Sequence, residues 1–197
     1  SFAATEFVGW YNGHPDFRDR TFDLSCEAVA VVGIGNVAVD VARILAEDPE
    51  TLAKTDIAGY AVDALRKSKV KTVWLLGRRG AAQAAFSPAE IAELGELHDA
   101  DLVVGENEVR LDPESQKDYA SGDAAVKKNV DTLKSAAAKG EGSKARKVRL
   151  RLCVSPVEVL GEGGKVAAVR LEKNALARAA DGSIKPSGTG QFETVPV

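Results

Sequence analysis

Gly33-Ile34-Gly35-Asn36-Val37-Ala38 has the residue types and spacing to hold a pyrophosphate. The first glycine permits a tight turn. The second lets main chain approach a phosphate with no side chain in between. Ala38, at the third position of the G-x-G-x-x-G/A pattern, lets a helix pack close to the preceding strand. The pattern alone is weak, and its surroundings make it informative. Ala28–Val32 is apolar and largely β-branched, and reads as a buried parallel strand. Val37–Glu47 carries Val37, Val41, Ile44 and Leu45 on one helical face. In this order the helix start offers free N–H groups and a positive dipole end to a phosphate. The plainer alternative is a strand-to-helix turn with no ligand.

A second cluster, Gly77-Arg78-Arg79-Gly80, ends the next strand, Lys71–Leu76. A site for NAD carries Asp or Glu about 20 residues beyond the glycines, to hold the ribose 2′-hydroxyl. Here 45 residues separate Gly33 from Arg78, and no carboxylate stands at the position. The added length is the segment around 48–68, where Asp48-Pro49 breaks the first helix and Ile57–Lys67 reads as another. Two guanidiniums suit a 2′-phosphate through bidentate, charge-assisted hydrogen bonds, each worth about 1.5–3 kcal/mol. The pattern therefore predicts NADP over NAD, against the alternative that the arginines are surface charge.

Other polar residues have plain roles available. Asp40 sits near a helix start, where a carboxylate favours the dipole. Asn36 can bond to nearby main chain. Glu90 occupies the third position after Ser87-Pro88, which fits a capping box opening a helix to about Leu97. His98 reads as exposed and Cys153 as a packing residue. No Ser–His–Asp or Cys–His grouping follows from the spacing.

Around these clusters the chain reads as α/β, passing to β in its last third. Leu102–Val104 is a weak strand candidate, 105–120 is acidic and irregular, and Ala124–Ala138 is a helix. Lys147–Val154 alternates with period two, and Val157–Leu160 and Lys165–Lys173 flank a glycine turn as a hairpin. An antiparallel set over about 147–173 follows, with a polar, turn-rich tail from Ala180. Phe7–Phe17 reads as an ordered loop whose aromatics pack onto a surface, within the chain or outside it. The fold class expected is a Rossmann-like parallel sheet with helices on both faces and a small antiparallel meander.

The 197 residues, 45% hydrophobic and 28% charged, suit a globular domain with a sizeable core. A net charge of −3 argues against a nucleic-acid partner, and no apolar run is long enough to span a membrane. Cys26 and Cys153 form no CxxC pair, and His14 and His98 are the only histidines, so no zinc ribbon, dithiol centre or polyhistidine metal site is expected. Reduced cysteines and the lack of a signal peptide predict a cytoplasmic location. The start at Ser1 and the absence of methionine predict a piece of a larger protein.

FVGWYNGHPD (7–16), GIGNVAVDVARIL (33–45), KTDI (54–57), VKTVWLLGRRG (70–80) and QAAF (83–86) together resemble the NADPH-binding part of adrenodoxin reductase and the bacterial ferredoxin–NADP reductases. The likeness is closest from about Phe7 to Leu97, looser over 148–197 and poor over 99–147. It accounts for the long spacing between glycines and arginines. It implies a two-domain flavoprotein, similar in architecture to glutathione reductase, in which NADPH reduces FAD and FAD passes single electrons to a ferredoxin. By motif position, Gly33, Ile34, Gly35, Asn36 and Val37 form the pyrophosphate turn, Arg78 and Arg79 take the 2′-phosphate, and Glu90 contacts NADP. Asp40 matches an aspartate proposed for proton relay. Ile34 departs from a polar residue in the family pattern. No FAD glycine fingerprint is present, so FAD and the ferredoxin partner belong to the longer enzyme. Residues 1–27 would connect to its FAD domain, and 28–197 would form the NADP-binding domain. The rival readings are a non-catalytic NADP-binding module and a self-contained NADP-dependent dehydrogenase. The latter lacks a Tyr–Lys pair or catalytic histidine.

Overall fold

A computed structural model describes residues 1–122 and 124–197. The chain opens with helix α1 (Ala4–Tyr11), then β1 (Ala28–Val32) and α2 (Asn36–Ala46). Next come α3 (Pro49–Leu52), α4 (Gly59–Leu65), β2 (Thr72–Leu76), α5 (Pro88–Leu94) and β3 (Ala100–Val104). After α6 (Pro113–Ser121) and α7 (Ala124–Lys139), strand β4 (Arg146–Arg151) leads into β5 (Val154–Glu162), β6 (Lys165–Arg178) and β7 (Ile184–Pro196).

Strands β1 to β4 form one parallel sheet in the order β1-β2-β4-β3, and β5-β6-β7 form a separate antiparallel sheet. This is the expected α/β architecture. The register sets Val32 beside Leu76 and Leu76 beside Arg151. The carboxyl ends of β1, β2 and β4 therefore finish level, and their following loops lie side by side. Ligands of open α/β sheets bind outside such strand ends.

Alternation along the strands divides the buried side chains. Val73, Leu75, Val148 and Leu150 join the core with Val39, Ala42 and Leu45 of α2, Ile91 of α5, and Val130 and Leu133 of α7. Leu76, with Trp74 packed against it, faces the other way, into a cluster with Val154, Val169, Leu171 and Val195. Over β2 the second face is thus covered by the antiparallel sheet. The Trp74 Nε1–H donates to the Pro196 carbonyl at 2.9 Å and ties the two sheets together.

Several elements differ from the sequence reading. Phe7, Trp10 and Tyr11 lie on helix α1 and are buried. They pack with Phe22 at ring separations of 5.0 Å for Phe7 and 5.1 Å for Trp10. Gly9 is tolerated in this helix because Phe17 fills the space that a Cβ would take. The aromatics therefore pack within the chain's own core. The alternating strand β4 is parallel and lies inside the main sheet, with Arg149 and Arg151 of its second face in ion pairs. The antiparallel strands accordingly span 154–196. The acidic stretch forms α6, capped by Asp112, whose carboxylate accepts from the N–H groups of Glu114 and Ser115. The turn-rich tail becomes β7, carried by pairing with β6 despite its glycines. β1 is an edge strand, so Val32 is 64% exposed.

Candidate dinucleotide site

Gly33 leaves β1 at φ +134°, a conformation that favours glycine, while its N–H donates to the Leu76 carbonyl at 2.8 Å. Ile34 then turns inward. A Cβ on Gly77 would stand 2.6 Å from Ile34 Cγ2, so the two glycine loops pack directly on each other. Ile34 thus joins the site by its main chain while its side chain fills the core. Gly35 is extended (φ −112°, ψ 176°), and a Cβ there would meet nothing within 4 Å. The fold itself does not need a glycine at this position; the open space in front of it does.

Helix α2 starts there without a side-chain cap. Its first intrahelical bonds run from Ala38 and Val39 to the Gly35 carbonyl, at 3.0 and 3.1 Å. The N–H groups ahead of them have no helical partner, and Val37 beside them is exposed. An open turn, an uncapped helix end and a missing side chain together fit a pyrophosphate.

Asn36 bonds to main chain, but across to another segment. Its Oδ1 accepts from the Ser87 N–H at 2.7 Å. With the Ala85 N–H donating to the Ile34 carbonyl at 2.9 Å, the turn is laced to the approach of α5. This changes the cap of α5. Ser87 Oγ accepts from the Glu90 N–H, as a capping box requires. The reciprocal bond is not made, because the Ser87 N–H is spent on Asn36. Among the described residues the Glu90 carboxylate has no hydrogen-bond partner, and it remains available at the rim.

Asp40, one turn along α2, is ion-paired with Arg43 at 2.7 Å, each side chain about a third exposed (32% and 34%). Burial disfavours the Arg43 charge, but the hydrogen bond and charge of Asp40, with Glu90 adding, raise its pKa on balance. Burial and the Asp40 charge raise that of Tyr11. Asp40 therefore belongs to a small charged cluster against α1.

Arg78 is exposed and Arg79 half-buried. Among the described residues neither guanidinium has a carboxylate partner, whereas Arg43, Arg66, Arg149, Arg151 and Arg178 each grip one. Their main chain is held closely. The Gly77 N–H donates to the Arg151 carbonyl at 2.8 Å. Val154 N–H donates to the Gly77 carbonyl at 3.0 Å, and Cys153 N–H to that of Arg79 at 3.1 Å. Asn174 Nδ2 donates to the Arg78 carbonyl at 2.9 Å. Asn174 was not singled out by sequence reasoning, and Ser87 was read there only as a helix cap. The Ser87-Pro88 cap was a usable signal for one; nothing in a strand pattern marks the other.

Cys153 adopts φ +52° beside this loop, and burial, with Glu108 and Asp112 adding, pushes its thiol pKa up to about 11. It is neutral at pH 7 and no nucleophile. A cavity of about 240 Å³ between α5, α7 and the start of β3 contains none of the predicted site residues. Among the described residues no group of His, Cys, Asp and Glu is placed to hold a metal.

No family model matches the chain. Its relatives are nonetheless clear. It is 40% identical to the NADPH-ferredoxin reductase FprA of Mycobacterium tuberculosis, over 100% of this chain and 42% of that protein. It is 37% identical to the mitochondrial NADPH:adrenodoxin oxidoreductase of Homo sapiens, over 98% of this chain and 41% of that protein. A solved structure of M. tuberculosis FprA in complex with NADPH superposes with a TM-score of 0.91 at 39% identity, covering 100% of this chain and 42% of that one. The relation thus runs through 99–147, where the motifs are poor. The chain is homologous along its whole length to part of the NADPH–ferredoxin and NADPH–adrenodoxin reductases, and spans about two fifths of their length.

Proposed function

We propose that this chain is the NADP-binding part of a flavin-dependent ferredoxin–NADP reductase. The observation that carries the reading is the pairing of an open, uncapped glycine turn with two carboxylate-free arginines on the adjacent strand end. The N–H groups opening α2 hold the pyrophosphate and the space before Gly35 admits it. Arg78 and Arg79 take the 2′-phosphate. Glu90, released from its capping box, and Val37 border the same turn. Asp40 sits with Arg43 one helical turn away, and on this reading it relays a proton to the FAD domain of the longer enzyme.

Bound there, NADPH supplies the hydride for an FAD held by another part of the longer enzyme, and through it electrons for a ferredoxin. On this reading residues 1–27 connect to the FAD domain and 28–197 form the NADP-binding domain. Cys26 and Cys153 are free, which supports a cytoplasmic location. Among the described residues no helix is long and apolar enough to cross a membrane.

Calorimetric titration of the chain with NADP⁺ and, separately, NAD⁺ tests the proposal. Saturable binding of NADP⁺ with little for NAD⁺ is expected. A folded chain that bound both equally, or neither, would overturn it.

A further inference from the structure

We propose that Asn174 positions the Arg78–Arg79 pair and so contributes to the preference for NADP over NAD; this rests on the reading of those arginines as the 2′-phosphate grip. Asn174 stands where β6 departs from regular pairing: its register against β7 shifts between Glu172 and Asn174, and its pairing with β5 ends at Lys173. The Asn174 N–H donates to the Cys153 carbonyl at 2.7 Å, which anchors the residue. Its Nδ2 then donates to Ser155 Oγ and to the Arg78 carbonyl, both at 2.9 Å. An amide nitrogen carries two hydrogens, so the group is fully used and its orientation determined.

The carbonyls of Gly77, Arg78 and Arg79 each receive a bond from the antiparallel side of the molecule. Main-chain N–H groups serve the outer two. Only the middle one depends on a side chain. That carbonyl belongs to the peptide joining the two arginines, so holding it fixes the main chain from which both side chains depart. The bond lies in an exposed setting, so water would satisfy the Arg78 carbonyl if Asn174 were lost. The bond is therefore a small part of what holds the fold and a larger part of what orients the main chain that carries the two arginines. Bidentate binding of phosphate depends on that orientation, and presetting it lowers the cost of binding.

The experiment is calorimetric titration of the whole chain with NADP⁺ and NAD⁺, for the parent, Asn174→Ala, Asn174→Asp, Arg78→Ala/Arg79→Ala, and the last combined with Asn174→Ala. Loss of one positioning hydrogen bond should weaken NADP⁺ by about tenfold. NAD⁺ affinity should change less than about twofold. Asn174→Asp keeps the size but removes the donor, and should lose at least as much NADP⁺ affinity. In the double-arginine background Asn174→Ala should have no further effect, as a coupled pair requires. Equal losses for both cofactors would mark Asn174 as a general support and overturn the proposal. So would a clear loss of NADP preference in the arginine variant with none in Asn174→Ala. If the arginine variant itself kept its preference, the reading of the site would fall first.

Discussion

Arginine side chains on this protein usually end on a carboxylate. Arg149 holds Glu141 through two bonds of 2.7 Å, and Arg66 spans Glu50 and Asp63. Among the described residues Arg78 and Arg79, like Arg18, Arg110 and Arg146, have no carboxylate partner, but only these two stand as a pair beside the glycine turn, where an unpaired cation keeps its full charge for a ligand. Replacing both with Ala should weaken NADP⁺ binding by about 100-fold or more, from two charged hydrogen bonds of about 1.5–3 kcal/mol each. NAD⁺, which lacks the phosphate, should bind nearly as before. Titration of the variant with both cofactors checks this, and equal losses would remove the 2′-phosphate from these residues. Gly35→Val makes a complementary test. Its Cβ enters open space at a main-chain conformation any residue adopts, so the melting temperature should shift by no more than a few degrees. Binding of NADP⁺ should fall below detection because the branch fills the phosphate's place. Unchanged affinity would take the turn out of the site.

The loop of residues 84–87 between β2 and α5 connects the site to the core. It receives Asn36 at Ser87 and passes its own Phe86 carbonyl to Asn129 Nδ2, at 2.9 Å, on α7. Asn129 is 3% exposed, and its Oδ1 is buried without a hydrogen-bond partner. A helix 16 residues long thus holds, through one amide, the segment laced to the glycine turn. Asn129→Ala removes this bond and leaves the Phe86 carbonyl buried and unpaired, at a cost of about 1–3 kcal/mol. Chemical denaturation should show that loss as a lower midpoint at unchanged slope. NADP⁺ affinity should fall as well, because the loop loses its anchor. A variant as stable as the parent would show that water replaces the amide.

At the scale of the molecule, two sheets must keep a fixed relation for the arginine loop to be held from both sides. Arg151, at the end of β4, hydrogen-bonds Glu108 at 2.8 Å and is ion-paired with Glu193 of β7 at 2.6 Å. Glu108 also accepts from the Leu152 N–H. Burial raises the Glu108 pKa, while Leu152 and Arg151 oppose that rise. Removing the cation strands two carboxylates in a partly dry setting. Arg151→Ala should therefore destabilise the chain by about 3 kcal/mol or more. Adding Glu108→Gln should recover part of the loss, because the stranded charge goes with it. Thermal unfolding of the single and double variants measures both, and no recovery would mean that Arg151 acts by packing alone.

What could be read from the residues themselves was whatever depends on local chemistry. Ala28–Val32 with its glycine turn and the face of α2 requires only neighbours in the chain. So do the Ser87-Pro88 cap and the Arg78–Arg79 pair with no carboxylate at its side. The period-two pattern of β4 was also legible, but not its partners: alternation reports two unlike faces, and solvent and a layer of ion pairs leave the same trace. Helix α1 was missed because Gly9 and the aromatics argue for a loop until Phe17 and Phe22 cover them. The strand β7 was missed because its pairing with β6 outweighs its weak propensity. Tertiary structure alone decided that Asn36 takes the Ser87 N–H and releases Glu90, and that Asn174 reaches Arg78 across 96 residues. Each of these is a contact between segments distant in the chain, and its existence depends on strand order and register, which no single segment encodes.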